Sequence, residues 1–386
     1  MLKLIREIRL ALGAISTTAN DVKNLAASVD HLSKKILHIE ERQSSLANNI
    51  TSTTTAYNRL LGEKHTTTEM ISSFAKRFEA AQSEVAVLAQ SLKYSASKIE
   101  EIQLAMSALQ KTAPGLGNVS LSGGRVLTRL SMPEYFSYQD PIYIVNSDDR
   151  MILPRLAMDG VYELPSTRFV ARNVKPGDHV VDVGANFGYY AIIFGSLVGW
   201  KGRLLAFEPE PLMFELLSEN IFANWIGWAR QVNAACSDKA GEIELMTSRA
   251  RPGNTGVATP LDRPSEAKDF DFVPFKALTV CLDDELDTLD GRIDFMKIDV
   301  EGSEPLVLRG AWRAIANNRQ IVVMMEWSPD QLASCGHEPA ALIEELRSHG
   351  LVCSAIGWQG DEAPLEFGTL LEGAPYQNIV LRHSAP

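Results

Sequence analysis

"VVDVGANFGYY" (Val180–Tyr190) decides how the chain is read. Apolar residues around one acid make a buried strand, and the strand runs into a turn built on Gly184, Asn186 and Gly188 before an apolar helix begins. Glycine lacks a Cβ and accepts unusual dihedrals, so such a turn lets backbone approach a nucleotide. A dinucleotide fingerprint would carry its middle glycine where Asn186 stands, and an acid at 182 would repel a pyrophosphate. The acid suits instead a ligand with a cationic amino-acid tail. S-adenosylmethionine is such a ligand, with an ammonium, a sulfonium and no phosphate. Alone, Asp182 says little, since a strand-end Asp often caps the next helix. Twenty-six residues on, however, "LLAFEPE" ends its own strand at Glu208, where an acid accepts hydrogen bonds from both ribose hydroxyls.

Strands and helices alternate outward from this point. "KPGD" (Lys175–Asp178) turns the chain into the first strand, preceded by a short strand or hairpin in "PIYIVNSDDRMILP" and a helix in "DGVYELPSTRFVARNVKPGD". Downstream come "PLMFELLSENIFAN" as helix, "WARQVNAAC" and "GEIELMTS" as strands, a long polar loop from Arg251 to Val273, and "FKALTVCLDDELD". "IDFMKIDVEG" and "QIVVMMEWSP" read as strands, "SEPLVLRGAWRAIANN" and "EPAALIEELRSHG" as helices, and "LVCSAIGW" and "YQNIVLRH" as final strands. The alternation predicts an α/β fold with a seven-stranded, Rossmann-like, doubly wound sheet whose last two strands form an antiparallel edge.

The N-terminal third differs in kind. From Val29 through Leu32, Ile36, Ile39, Leu88, Leu92 and Met106 to Leu109, one three-and-four spacing persists for about eighty residues. Only Gln43, Thr53, Lys64, Thr67 and Ser95 are clearly polar in it. So narrow an apolar seam needs a partner, and no second helical segment of comparable length exists in the chain. The expected organisation is a coiled-coil stalk over 1–111, a Gly/Pro/Ser-rich linker over 112–130 and the α/β domain over 131–386. The stalk would make a homo-oligomer, dimer or trimer. Lys3, Arg6 and Arg9 on its first helix also fit peripheral contact with an anionic membrane surface.

Composition narrows the function classes. The 386 residues include 37 Lys and Arg against 48 Asp and Glu, a formal charge of -11, so no basic field exists to draw nucleic acid. Cys236, Cys281, Cys335 and Cys353 lie far apart without a C-x-x-C pair, which reads as reduced thiols in a cytoplasmic protein. No run of eighteen apolar residues occurs.

The segments "DVGANFGYY", "AFEPEP", "AACSDKAGEIEL", "FMKIDVEGSEPLVLRGA" and "VVMMEWSP", in that order, resemble the FkbM family of S-adenosylmethionine-dependent methyltransferases. The resemblance covers about residues 140 to 383 and leaves the heptads outside. It implies a class I methyltransferase fold and O-methylation, commonly of a hydroxyl on a sugar, glycan or secondary metabolite. By position it implies that Asp182, Gly184, Asn186 and Gly188 hold the methionine part of the donor and Glu208 its ribose, with Ser237 and Asp238 facing the adenine. Glu163 in "GVYELP" is similar to a Tyr-Glu feature ahead of the family's first motif.

Transfer to a hydroxyl needs a base or a metal to take its proton. "KIDVEGSE" brings Lys297, Asp299, Glu301 and Glu304 to the carboxyl end of a strand, where ligands sit in doubly wound sheets. Asp299 or Glu301 is the expected base or orienter, Lys297 its electrostatic support, and Glu326 at the end of the next strand the other candidate. Asp299, Glu301 and Glu326 would also suit a divalent cation, which the spacing does not require. Trp327 is placed to stack on a sugar, and His337 is a weaker base candidate. The expected activity is O-methylation of a carbohydrate or glycoconjugate hydroxyl, in the cytoplasm or at the inner face of the membrane. The alternatives are a methyltransferase for a small secondary metabolite and a coiled-coil scaffold with a non-catalytic nucleoside-binding domain.

Overall fold

The computed structural model describes residues 119–121, 124–132, 134–136, 140–248, 251–257, 272–372 and 377–384. The heptad stretch 1–111, residues 112–118 of the expected linker and residues 258–271 of the long loop lie outside the described residues. Residues 119–121 and 125–129 of the expected linker are strand: β1 (Val119–Leu121) pairs antiparallel with β2 (Arg125–Arg129), which pairs with β3 (Ile142–Asn146). Gly124 leads into β2 at φ 70.

After α1 (Ile152–Asp159) and α2 (Leu164–Asn173) come β4 (His179–Val183), α3 (Tyr189–Val198), β5 (Arg203–Phe207), α4 (Pro211–Ala223) and β6 (Ala229–Val232). Next are β7 (Ala235–Cys236), β8 (Gly241–Ser248), β9 (Arg251–Val257), β10 (Phe272–Val280), β11 (Phe295–Ile298), α5 (Glu304–Arg309) and α6 (Trp312–Asn317). The chain continues through β12 (Val322–Trp327), α7 (Pro329–Ser334), α8 (Pro339–Ser348), β13 (Leu351–Ile356), β14 (Glu362–Leu365) and β15 (Gln377–His383). The main sheet has eight strands in the order β14-β13-β15-β12-β11-β4-β5-β6. β4 and β11 are buried along their whole length, as strands covered on both faces must be.

Four features depart from the sequence reading. The last long strand, β15, does not form an edge with β13 but runs antiparallel between β12 and β13. β14, whose sequence "EAPL" carries a proline, takes the edge, where a missing N–H is tolerated. "WARQVNAAC" is two strands, because the Asn233 side chain between them donates to the Glu208 carbonyl at 2.8 Å. β6 stays in the main sheet, and β7 pairs with β10 in a second sheet of order β7-β10-β8-β9, into which the first part of the expected polar loop folds as β9. "SEPLVLRGAWRAIANN" also breaks in two, at Gly310, where a Cβ would lie 2.0 Å from the Ser237 carbonyl oxygen.

The N-terminal sheet is fastened to the domain by two amides one helical turn apart on α4. Asn220 accepts from the Ile144 N–H at 2.5 Å and donates to the Ile144 and Phe187 carbonyls. Asn224 accepts from Ile142 at 2.9 Å and donates back at 2.7 Å. Both side chains thus act as a substitute strand along the edge of β3.

Candidate active site

From β4 the chain moves out through β5 and β6 on one side, then returns to β11 on the other. This makes the carboxyl ends of β4 and β11 the topological switch point, where ligands enter such sheets. Asp182 on β4 lies directly beside Lys297 on β11. A cleft of about 1320 Å³, counted to its open mouth, sits over them.

One wall is the opening turn. Gly184 has φ 79, and a Cβ there would fall 1.9 Å from the Asp299 carbonyl oxygen; Gly188 has φ 100 and a Cβ would meet Leu217 Cδ1 at 2.8 Å. Gly184 is therefore required by backbone contact within the protein and Gly188 by its φ, different reasons from the close ligand approach expected of the sequence. Asn186, at φ 53, accepts from the Phe187 N–H with its own side chain at 2.7 Å, the local bond that lets Asn adopt the left-handed region. Its backbone N–H donates to Glu208 Oε2 at 2.7 Å, and the Glu210 N–H donates to Glu208 Oε1 at 2.8 Å. Glu208 thereby ties the turn to the next strand and keeps lone pairs toward the cleft. Burial pushes its carboxyl up to about 8, although the two N–H groups favour the anion.

Asp182 is fully buried and lines the cleft; the Ala191 N–H is near enough to favour its anion, but neither oxygen meets a donor at hydrogen-bond geometry. Burial raises its carboxyl to about 6, and the Lys297 ammonium pulls the other way. A buried acid left without partners is costly, so the site fits a ligand that brings an ammonium. Glu208, with spare acceptor capacity at the same cleft, fits a pair of hydroxyls.

The floor belongs to β11. Lys297 Nζ donates to Asp299 Oδ2 at 2.7 Å and stands 4.8 Å from the centre of the Tyr190 ring. Burial would lower its ammonium, but the carboxylates of Asp299, Asp182 and Glu163 outweigh that and raise it. Beyond Ile298 the strand ends. Glu301 has φ 54 and Gly302 φ 99, so Glu301 leaves the direction shared by Lys297 and Asp299. Its carboxylate lies at the cleft but accepts from the Gln331 side-chain amide. Glu304 is buried behind the loop and accepts from the Val300 and Gly302 N–H groups, both at 3.2 Å; burial lifts it to about 7.

The cleft gathers Asp182, Gly184, Asn186, Glu208, Ser237, Lys297, Asp299 and Glu301, and Glu163 joins them from the N-terminus of α2. Gly188 supports the turn from behind. Four sequence candidates stand elsewhere. Asp238 is exposed, one residue past Ser237, whose hydroxyl donates to it at 3.2 Å. Glu326 is buried on β12 opposite Asn378 of β15, outside the cleft lining, so the carboxylate trio imagined for a cation is not assembled; among the described residues no group of three or more His, Cys, Asp or Glu is placed to hold a metal. Trp327 is fully buried and donates to the Leu370 carbonyl, and so has no face to offer a sugar. His337 does not line the cleft either. Missing from the sequence reading were Tyr162 and Tyr190, which line the cleft beside Lys297, and the wall of Ile243, Leu245 and Thr279 from the second sheet. Both tyrosines lay inside quoted motifs, but Tyr190, in an apolar helix, looks like core; the wall depends on a sheet whose pairing is long-range.

Residues 182–353 match the methyltransferase FkbM domain. Among curated proteins the chain is similar to methyltransferase sdnD of Sordaria araneosa, 29% identical over 184 residues, which is 41% of this chain and 69% of that one. Among solved structures it is similar to a SAM-dependent O-methyltransferase from Thermotoga maritima, with 13% identity, 65% of this chain and 77% of that chain covered, and a TM-score of 0.32. It is also similar to precorrin-6y C5,15-methyltransferase from Geobacter metallireducens, with 12% identity, 57% and 88% covered, and a TM-score of 0.33. Residues 182–353 of the α/β region thus carry a methyltransferase FkbM domain, set on the doubly wound sheet that S-adenosylmethionine-dependent methyltransferases use.

Proposed function

We propose that this enzyme methylates a hydroxyl oxygen of a sugar, glycan or glycoconjugate. The observation that carries the reading is the Lys297–Asp299 pair, held at 2.7 Å on the floor of the cleft that Asp182 and Glu208 share. When bound, S-adenosylmethionine supplies an electrophilic methyl group. Asp182 would hold its ammonium and Glu208 its ribose hydroxyls, with Ser237 on the adenine side.

The chain's own task is to position an acceptor oxygen in line and to dispose of a proton, since positioning supplies much of the rate in a displacement. Asp299, locked by the Lys297 ammonium, offers its remaining lone pairs to orient the acceptor hydroxyl. A small secondary metabolite is the runner-up acceptor.

The heptads of 1–111 support homo-oligomerisation as dimer or trimer, with peripheral contact at an anionic membrane through Lys3, Arg6 and Arg9. Among the described residues no helix is long and apolar enough to cross a membrane. A cytoplasmic location, at or near the inner membrane face, accords with the four free thiols.

Donor labelled in its methyl group, incubated with the full chain and fractionated lysate glycans, lipid-linked saccharides and small metabolites, tests the assignment. Label recovered as a methyl ether on a saccharide is the expected product. Label on nitrogen, on carbon or only on small metabolites would refute the carbohydrate reading, and failure to bind S-adenosylhomocysteine would leave the scaffold alternative.

A further inference from the structure

Glu163 is a cleft carboxylate that the matched span 182–353 does not contain. It stands at the N-cap of α2 with φ 46 and ψ 55, a left-handed conformation uncommon for Glu. Such a conformation persists where the surroundings over-determine it. Those surroundings come from three elements. The Tyr190 hydroxyl on α3 donates to Glu163 Oε2 at 2.8 Å, and the Asn378 amide on β15 approaches the same oxygen at 3.4 Å while donating to Ser166 Oγ at 3.1 Å. One side chain is thus aimed at the cleft floor next to Lys297 and Asp299, both near enough for their charges to act on it.

The neighbours are poorly suited to take a proton. Asp299 has an oxygen committed to the Lys297 ammonium, and Lys297 is held in its charged form by three carboxylates. Glu163 takes its hydrogen bonds from neutral donors, the Tyr190 hydroxyl and the Asn378 amide, and not from an ammonium. Burial, and then the Asp299 charge, raise its carboxyl, while Lys297 and the Tyr190 hydroxyl only partly offset them. A carboxyl raised above its ordinary range is a better proton acceptor than an ordinary one.

We infer that Glu163 is the general base of the reaction, an assignment that rests on the hydroxyl-methylating reading above. The acceptor oxygen forms its bond to the methyl carbon, the carbon–sulfur bonding pair stays on sulfur, and the hydroxyl proton passes to the Glu163 carboxylate. Asp299 and Lys297 orient the acceptor. Glu163 then returns the proton to water at the cleft mouth.

A carboxylate aimed at the transferring carbon must attract an ammonium placed there. Two ligands test this on the full chain by calorimetry: S-adenosylhomocysteine, and sinefungin, in which a carbon bearing an ammonium replaces the methylated sulfonium. At pH 8 sinefungin is expected to bind at least about tenfold tighter. The preference should shrink as pH falls toward the ordinary carboxylate range, because Glu163, raised by burial, is protonated ahead of an ordinary carboxylate. Asp182 and Glu208 also titrate, but they serve the parts both ligands share, so the affinity ratio cancels them. The remaining groups facing Glu163 are Tyr162, Tyr189 and Tyr190, which stay neutral in this range, the permanently charged Lys297, and the acids Asp299 and Glu326.

In Glu163→Gln the expected result is S-adenosylhomocysteine affinity within about threefold of wild type and a sinefungin preference that is small and independent of pH. A full preference surviving in that variant, or a pH-independent preference in wild type, overturns the assignment. If the variant does not bind S-adenosylhomocysteine, the wild-type pH profile decides alone. If the wild type binds neither ligand, the donor-site reading fails and the base assignment falls with it.

Discussion

Asp182 shows how far a single residue serves ligand rather than fold. Its carboxyl lies near 6 in the folded chain against 3.8 for an ordinary Asp, so folding favours the protonated form. The cost is absent below the ordinary value and complete above pH 6. Asp182→Asn is therefore expected to stabilise the ligand-free protein at pH 8 by about 1–3 kcal/mol. The gain should vanish by pH 4, and urea unfolding at both pH values checks it. The same variant should bind S-adenosylhomocysteine about 10- to 100-fold more weakly at pH 8, read by calorimetry. Gly184→Ala drives a Cβ into the Asp299 carbonyl at a positive φ; a loss of about 3 kcal/mol or more, or no soluble protein, is expected in thermal unfolding. At this scale the sequence was legible where chemistry is local. Asp182, the glycines and Glu208 follow from spacing along two adjacent strands. Asp238 and Glu326 did not, because a strand-end position does not say on which side of a sheet, or in which sheet, a side chain emerges.

Elements were legible when their own residues decide them. β4, α3, β8 and α4 fall close to where periodicity and flanking turns place them. β9 and β14 carry the Pro and Gly that mark loops, and they are strands only because β8 and β13 pair with them. The asparagines of α4 are a further case: polar residues in a helix that look solvent-facing but satisfy the backbone of β3. Asn220 is fully buried, so Asn220→Ala leaves the Ile144 N–H and the Ile144 and Phe187 carbonyls without it. We expect a loss of about 2–4 kcal/mol in urea unfolding. Asn224→Ala, half-buried and bonded to the strand end, should lose less.

For the whole molecule, the heptads of 1–111 lead to a prediction on the full chain. Leu88→Asp with Leu92→Asp puts charge into the apolar seam and should reduce the mass in light scattering from oligomer to monomer, with S-adenosylhomocysteine affinity unchanged within about threefold. An unchanged mass would remove the stalk from the account. Global topology was the least legible level, since the place of β15 depends on pairing with strands made long before it. Its position also bears on how the protein comes into being. On the ribosome β12 and β13 emerge first and have nothing between them, so the hydrophobic interior stays open at that seam until Gln377–His383 is released. Closure of the catalytic half therefore waits for this strand, and a nascent chain stalled before it would be a target for chaperones and proteases.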